Sequence, residues 1–234
     1  MRLKTLLLFI LLSTPLCTHS QESRKKPEFN IGIKAGFHAL TYNDPEFDID
    51  GYKFDKNCIH SNKIGYTITP FARITYKSLY IQSEATFGVT YHSFDFNDSE
   101  RNIDGNFVPN NTVYNLRTYS AQIPILVGYN FVDRSKFGMS VFTGPRTKFI
   151  FSSRSHQEFK HFNDATLEEV LCKKVYYWEV GLGVKIDKVF FDFAYDIGLS
   201  DASKFIKSNA TGKTFNSSRR DNVLSFSVGM IFYI

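Results

Sequence analysis

Hydrophobic and polar residues alternate one for one along eight stretches of the chain, a period of two that suits a strand with unlike faces and no helix. The stretches are "FNIGIKAGFHA" (29–39), "KIGYTITPFARITY" (63–76), "LYIQSEATFGVTYHSF" (79–94) and "RTYSAQIPILVGYNF" (117–131). The other four are "KFGMSVFTGPRTKFIF" (136–151), "VYYWEVGLGVKI" (175–186), "VFFDFAYDIGLS" (189–200) and "NVLSFSVGMIFYI" (222–234). Three connectors are very short, "KS", "VDRS" and "DK", and the other four run to about twenty residues each. Short and long connectors take turns, so in an up-and-down sheet every long one falls at the same end. Short turns on one rim and long polar loops on the other are the habit of a membrane barrel.

The positions of the charges sharpen this. Once each strand's faces are set from its apolar residues, Lys34, Arg73, Glu84, Arg146, Lys148, Glu179, Lys185, Asp192 and Asp196 all fall on the face opposite the apolar row. The apolar rows run, for example, Ile31, Ile33, Ala35, Phe37 in the first stretch and Phe226, Val228, Met230, Phe232 in the last. Two architectures share such alternation. A soluble lipocalin-like binding barrel turns the apolar rows inward, and a membrane barrel turns them to lipid. Eight rows rich in Phe, Tyr, Ile and Trp overfill an eight-stranded interior, whereas the small polar rows, with their charges nearly balanced, fit it. The expected fold is therefore all-β, an eight-stranded antiparallel up-and-down transmembrane β-barrel over residues 29–234. The nine charged residues form its lumen network, and a lumen filled in this way excludes a general diffusion pore. Pro70, Pro124 and Pro145 lie inside strands of a sheet with no edge, so bulges or kinks are expected there.

The first twenty residues differ from the rest: basic "MRLK", an apolar run from Leu6 to Leu12, then Thr18 and Ser20 placed for cleavage before Gln21. Residues 1–20 read as a signal peptide and 21–28 as a short N-terminal segment. Cys17 is not read as a lipid anchor, because Leu16 precedes it where a small residue is required. No later stretch approaches the ~20 continuous apolar residues of a membrane helix. With 24 Phe and 13 Tyr the composition favours strands. Loss of Arg2 and Lys4 with the leader lowers the net charge from +5 to +3, too mild for a nucleic-acid partner.

"FNIGIKAGFHALTY", "YSAQIPILVGYNF", "GPRTKF", "WEVGLGVKIDKVFFDFAYDIGLSD" and "LSFSVGMIFYI", in this order, resemble the PorT-type outer-membrane β-barrel family over nearly all of the chain beyond the leader. The resemblance implies a small barrel inserted by the barrel-assembly machinery into the outer membrane of a Gram-negative bacterium, usually without an established activity. A few relatives support protein secretion, but no residue here marks that role. Such barrels often end in an aromatic residue, and this chain ends in Ile234.

Candidate chemistry is sparse. His92 and Ser93 are adjacent and so point to opposite faces, which prevents a base and nucleophile pair. His38, His60, His156 and His161 scatter over the long-loop end, and a rim-site lipid-modifying enzyme is the weakest reading. The acidic run with Glu46, Asp48, Asp50 and Gly51 echoes a calcium loop, but Asn57 stands where its last carboxylate is needed. No metal or cofactor is expected. Lys204, Lys207, Lys213, Arg219 and Arg220 in the last long loop are either a solvated basic loop or a contact for lipopolysaccharide phosphates. Cys58 and Cys172, both on the long-loop rim, are either bridged or free. The function expected is a structural or interaction role through the loops, with outer-membrane lipid and lipopolysaccharide as partners and a surface or secretion partner unidentified.

Overall fold

The computed structural model describes residues 26–49, 52–54, 59–60, 64–96, 102–103, 106–107, 112–134, 136–159, 167–208 and 214–234, in places by backbone alone. The leader (1–20), Cys58, Asp50, Gly51, Asn57, His161 and Lys213 lie outside the described residues.

Eight long strands form the wall. They are β1 (Glu28–Ile49), β2 (Ile64–Tyr76), β3 (Leu79–Glu84 continued by Thr86–Phe96), β4 (Thr112–Asp133), β5 (Phe137–Phe159), β6 (Lys174–Ile186), β7 (Val189–Gly198) and β8 (Thr214–Tyr233). Each pairs antiparallel with its sequence neighbours, and β8 returns to β1 from Asn30↔Tyr233 to Phe47↔Ser217, which closes the sheet. Closure leaves the eight-stranded wall without an edge strand. The tight β2–β3 and β6–β7 turns are made at Lys77 and Asp187, whose φ of 55° and 57° match the twist of a two-residue hairpin.

The side taken by each row is settled by exposure. Ile33 is 45% exposed and its neighbour Lys34 is 6%; Leu182 is 54% exposed and Glu179 is 1%. The apolar rows face outward and the polar rows face the lumen, so the soluble lipocalin-like arrangement, which needs the reverse, is not the one adopted.

The prolines do not produce the expected bulges. Pro70 opposes Ile33 and Pro124 opposes Arg146 in unbroken register, and Pro145 stays opposite Trp178. In an antiparallel ladder a residue's N–H and C=O point to the same neighbour. Pro70 accepts from the Ala85 N–H at 3.0 Å and returns no bond, and β3 is interrupted at that one residue. The register shifts of β4 and β5 lie elsewhere, at Met139/Ser140 and at Ile150/Ser152.

Much of what reads as long loop is strand. β1, β4, β5 and β8 run well past the apolar rows, and Leu167–Leu171 pairs with Ser203–Ser208, which pairs with β8. These extensions lack an apolar row, so their alternation carries no hydrophobic signal.

Candidate functional site: the closed lumen

The inward rows fill the barrel from the short-turn mouth to the long-loop end. At the mouth the Arg73 Nε donates to Gln82 Oε1 at 2.6 Å, and its guanidinium lies 4.2 Å from the Tyr80 ring centroid. Lys185 stands 3.5 Å from Asp133 across the β4–β6 side of the same mouth. A cavity of about 50 Å³ opens here between Asn30, Arg73, Lys185 and Phe190.

Deeper in, large apolar side chains occupy the polar rows. Phe71, Phe190 and Ile231 form one buried cluster, with the two rings edge to face at 5.3 Å, and Tyr80, Leu126, Phe142 and Ala194 form another. Each aromatic is admitted by a glycine directly across the ladder: Phe71 by Gly32, Tyr80 by Gly128, Phe142 by Gly181 and Phe190 by Gly229. A Cβ on any of the four glycines would lie within 2.6 Å of the facing ring. These pairs are not visible in the row-by-row alternation. The signal that finds them is a large inward residue set opposite a glycine once strand register is known.

Two groups of buried ion pairs cross the same interior. Lys34 on β1 lies 2.6 Å from Glu84 on β3 and 3.1 Å from Asp192 on β7. Arg146 on β5 donates to Asp196 Oδ2 on β7 at 2.7 Å and to Gln122 Oε1 on β4 at 3.1 Å. Its second terminal nitrogen stands 2.7 Å from Glu179 Oε2 on β6, a contact that is close but not aligned as a hydrogen bond. β7 contributes to both groups, so six of the eight strands are tied through the lumen. Thr69 and Thr86 join at 2.9 Å, and His38 meets Thr90 at 3.0 Å. Between these groups remains a cavity of about 30 Å³, bordered by Glu84, Glu179 and Asp196. Four of their oxygens have no protein hydrogen-bond partner among the described residues: Glu84 Oε2, Asp196 Oδ1 and both carboxylate oxygens of Glu179. Such a space takes about two water molecules, which suits acceptors of this kind. Leu40, Val175, Tyr177, Ala202 and Val223, with Ile150 and Cys172 against them, close the lumen on the long-loop side.

Of the nine charged residues singled out in the sequence, Lys34, Glu84, Arg146, Lys148, Glu179, Asp192 and Asp196 are buried, while Arg73 and Lys185 sit half-buried at the mouth. Of the basic loop residues, Lys204 and Arg220 have described side chains. Lys204 is exposed within Ser203–Ser208, Arg220 is exposed and donates to Asp201 Oδ1 at 2.9 Å, and Lys207 and Arg219 are described by backbone alone. Lys207 holds the position opposite Glu168 in the ladder. Cys172 carries a free thiol, which its partial burial pushes above the ordinary range. His38 is the one histidine with a described side chain, and it points into the lumen. No group of three or more metal-ligating side chains occurs among the described residues. What the arrangement supplies chemically is fixed charge of both signs, paired across a lumen whose two cavities hold about 30 and 50 Å³.

Residues 19–204 match the family model described as outer membrane protein beta-barrel domain. No curated protein matches the chain. Among solved structures, the outer membrane protein OprG from Pseudomonas aeruginosa is similar at a TM-score of 0.52 and 14% identity, over 88% of this chain and 96% of that one. The outer membrane protease OmpT from Escherichia coli gives 0.47 and 8%, over 92% and 99%. The E. coli outer membrane protein W gives 0.36 and 15%, over 89% and 100%.

Proposed function

The chain belongs to the outer membrane protein beta-barrel domain family, and from that premise we propose that it is a non-conducting barrel of the PorT type, which works through its extracellular end. The observation that carries this reading is the pair of ion-pair groups across the lumen, Lys34 with Glu84 and Asp192, and Arg146 with Glu179 and Asp196. A pore needs a continuous polar channel, and wide channels belong to barrels of many more strands. Here the interior is committed to holding the wall together, which leaves the loops to meet partners.

Short turns lie in the periplasm and long connectors outside the cell in barrels of this kind. The extensions of β1, β4, β5 and β8 then stand above the membrane as a scaffold for the loops. Lys204, Lys207, Lys213, Arg219 and Arg220 place basic charge at that end, which favours contact with lipopolysaccharide phosphates. Insertion by the barrel-assembly machinery belongs to the same reading.

The test has two arms. The purified barrel in a planar bilayer is expected to give no steady conductance, and steps of ordinary porin size would overturn the closed-lumen reading. Replacing the connectors 97–111 and 209–213 by short Gly/Ser links, with the folded form intact on an unheated gel, is expected to change surface binding or envelope integrity. An unchanged envelope and unchanged binding would sink the loop role.

A further inference from the structure

The lipid-facing rows carry cations at one level. On β4 the outward position beyond Tyr119 is Arg117, and on β6 the outward position beyond Trp178 and Tyr176 is Lys174; both are exposed. Arg117 stands directly opposite Tyr91 of β3, which is twelve residues along from Leu79 at the periplasmic turn. Lys174 is likewise twelve residues from Ile186 at the β6–β7 turn. Twelve residues at about 3.3 Å each, tilted about 40°, rise about 30 Å, which reaches just past an apolar band about 25 Å tall. Both cations therefore stand at the outer edge of the hydrocarbon.

Aromatic rings hold them there. The Arg117 guanidinium lies 5.1 Å from the Tyr91 ring centroid and 4.9 Å from that of Tyr119, and Lys174 Nζ lies 5.8 Å from that of Phe149. Only β5 separates the two strands, about 10 Å across the sheet, and the β5 residues opposite the cations, Arg154 and Phe149, are five apart, so the two backbone positions stand roughly 17 Å apart. In that gap Phe151, the extra residue of the β5 bulge, projects at 69% exposure. Neither cation has a carboxylate partner among the described residues, and Arg154 occupies the position opposite Arg117 in the β4–β5 ladder. A cation left at the hydrocarbon edge without a counter-charge is costly, and a phosphate there supplies charge-assisted hydrogen bonds.

We propose that Arg117 and Lys174 clamp the phosphorylated sugar headgroup of an outer-leaflet glycolipid against the barrel wall, with Phe151 among its acyl chains. Two separated cations match a headgroup with two separated phosphates better than a phospholipid with one. The inference rests on the outer-membrane placement and is independent of the loop reading above.

The test uses the full folded barrel in zwitterionic micelles, with retention of added bisphosphorylated lipid A read by native mass spectrometry. Each cation is expected to contribute about fivefold, so Arg117→Gln with Lys174→Gln binds about twenty-five-fold more weakly. An unshifted heat-modifiable band confirms folding of that variant. Arg117→Lys is expected to stay within a few-fold of the parent, and Lys204→Gln with Arg220→Gln to leave retention unchanged. Dephosphorylated lipid A is expected to fall as far as the double variant does. Equal retention by the double variant, by dephosphorylated lipid A, or of phosphatidylglycerol in its place would overturn the proposal.

Discussion

Arg146 shows what one residue does inside this wall, because it faces Glu179, Asp196 and Gln122 at once while almost fully buried. Removing one partner of a buried ion pair leaves the other's charge desolvated and uncompensated, which costs about 3–5 kcal/mol. Arg146→Met is expected to lower the urea midpoint in detergent accordingly, followed through the fluorescence of Trp178, the chain's single tryptophan. Replacing Glu179 and Asp196 in the same chain by Leu and Asn should recover most of the loss, since an apolar substitute for a whole ion pair is often neutral. A single variant as stable as the parent would mean that water, not protein, neutralises the lumen. Gly181 poses the steric counterpart: a leucine there runs into the Phe142 ring, whose nearest atom would be 2.3 Å from the new Cβ. Gly181→Leu should lose about 1–3 kcal/mol as overpacking does, and Phe142→Ala in the same chain should restore part of it.

At the scale of the strand, the two faces answer differently to the same substitution. Val228 and Ser227 are neighbours on β8, one turned to lipid and one lining the lumen cavity. Arg at 228 near the middle of the apolar band is expected to cost about 2–4 kcal/mol, whereas Asn at 227 should cost less than a third of that; refolding titrations into phospholipid vesicles measure both. This facing was legible in the sequence, because hydrocarbon rejects charge at every outward position, so the apolar rows and the side of Lys34 or Glu84 follow from alternation alone. The inward Phe71, Tyr80, Phe142 and Phe190 were not legible. Their room comes from glycines on neighbouring strands, and that complementarity depends on register, a non-local property. The outer ends of β4 and β5, 112–116 and 152–159, were missed for a different reason: beyond the apolar band nothing selects an apolar residue at alternate positions. The prolines misled because loss of a ladder bond was equated with a shift in register. At Pro70 a one-residue break in β3 absorbs it.

For the whole molecule, closure and occupancy of the lumen are one property. A closed ring of eight strands tied through its interior should migrate as a compact form before boiling and as an extended chain after it, and Arg146→Met should lower the temperature of that conversion. A parent protein that runs identically boiled and unboiled would count against a closed ring. The link from Lys34 to Asp192 has a bearing on how the ring is finished. β1 and β7 are the two neighbours of β8, so this ion pair passes behind the last strand and joins the strands on either side of it. During insertion β8 has to find β1 with no turn to guide it. A slip of one residue at that seam would set inward positions of β8 against outward positions of β1, which β2 holds with Lys34 opposite Thr69, and would move Asp192 off Lys34. The ion pair thus belongs to the one seam register seen in the closed barrel, and its stabilisation is a difference between that barrel and a slipped neighbour.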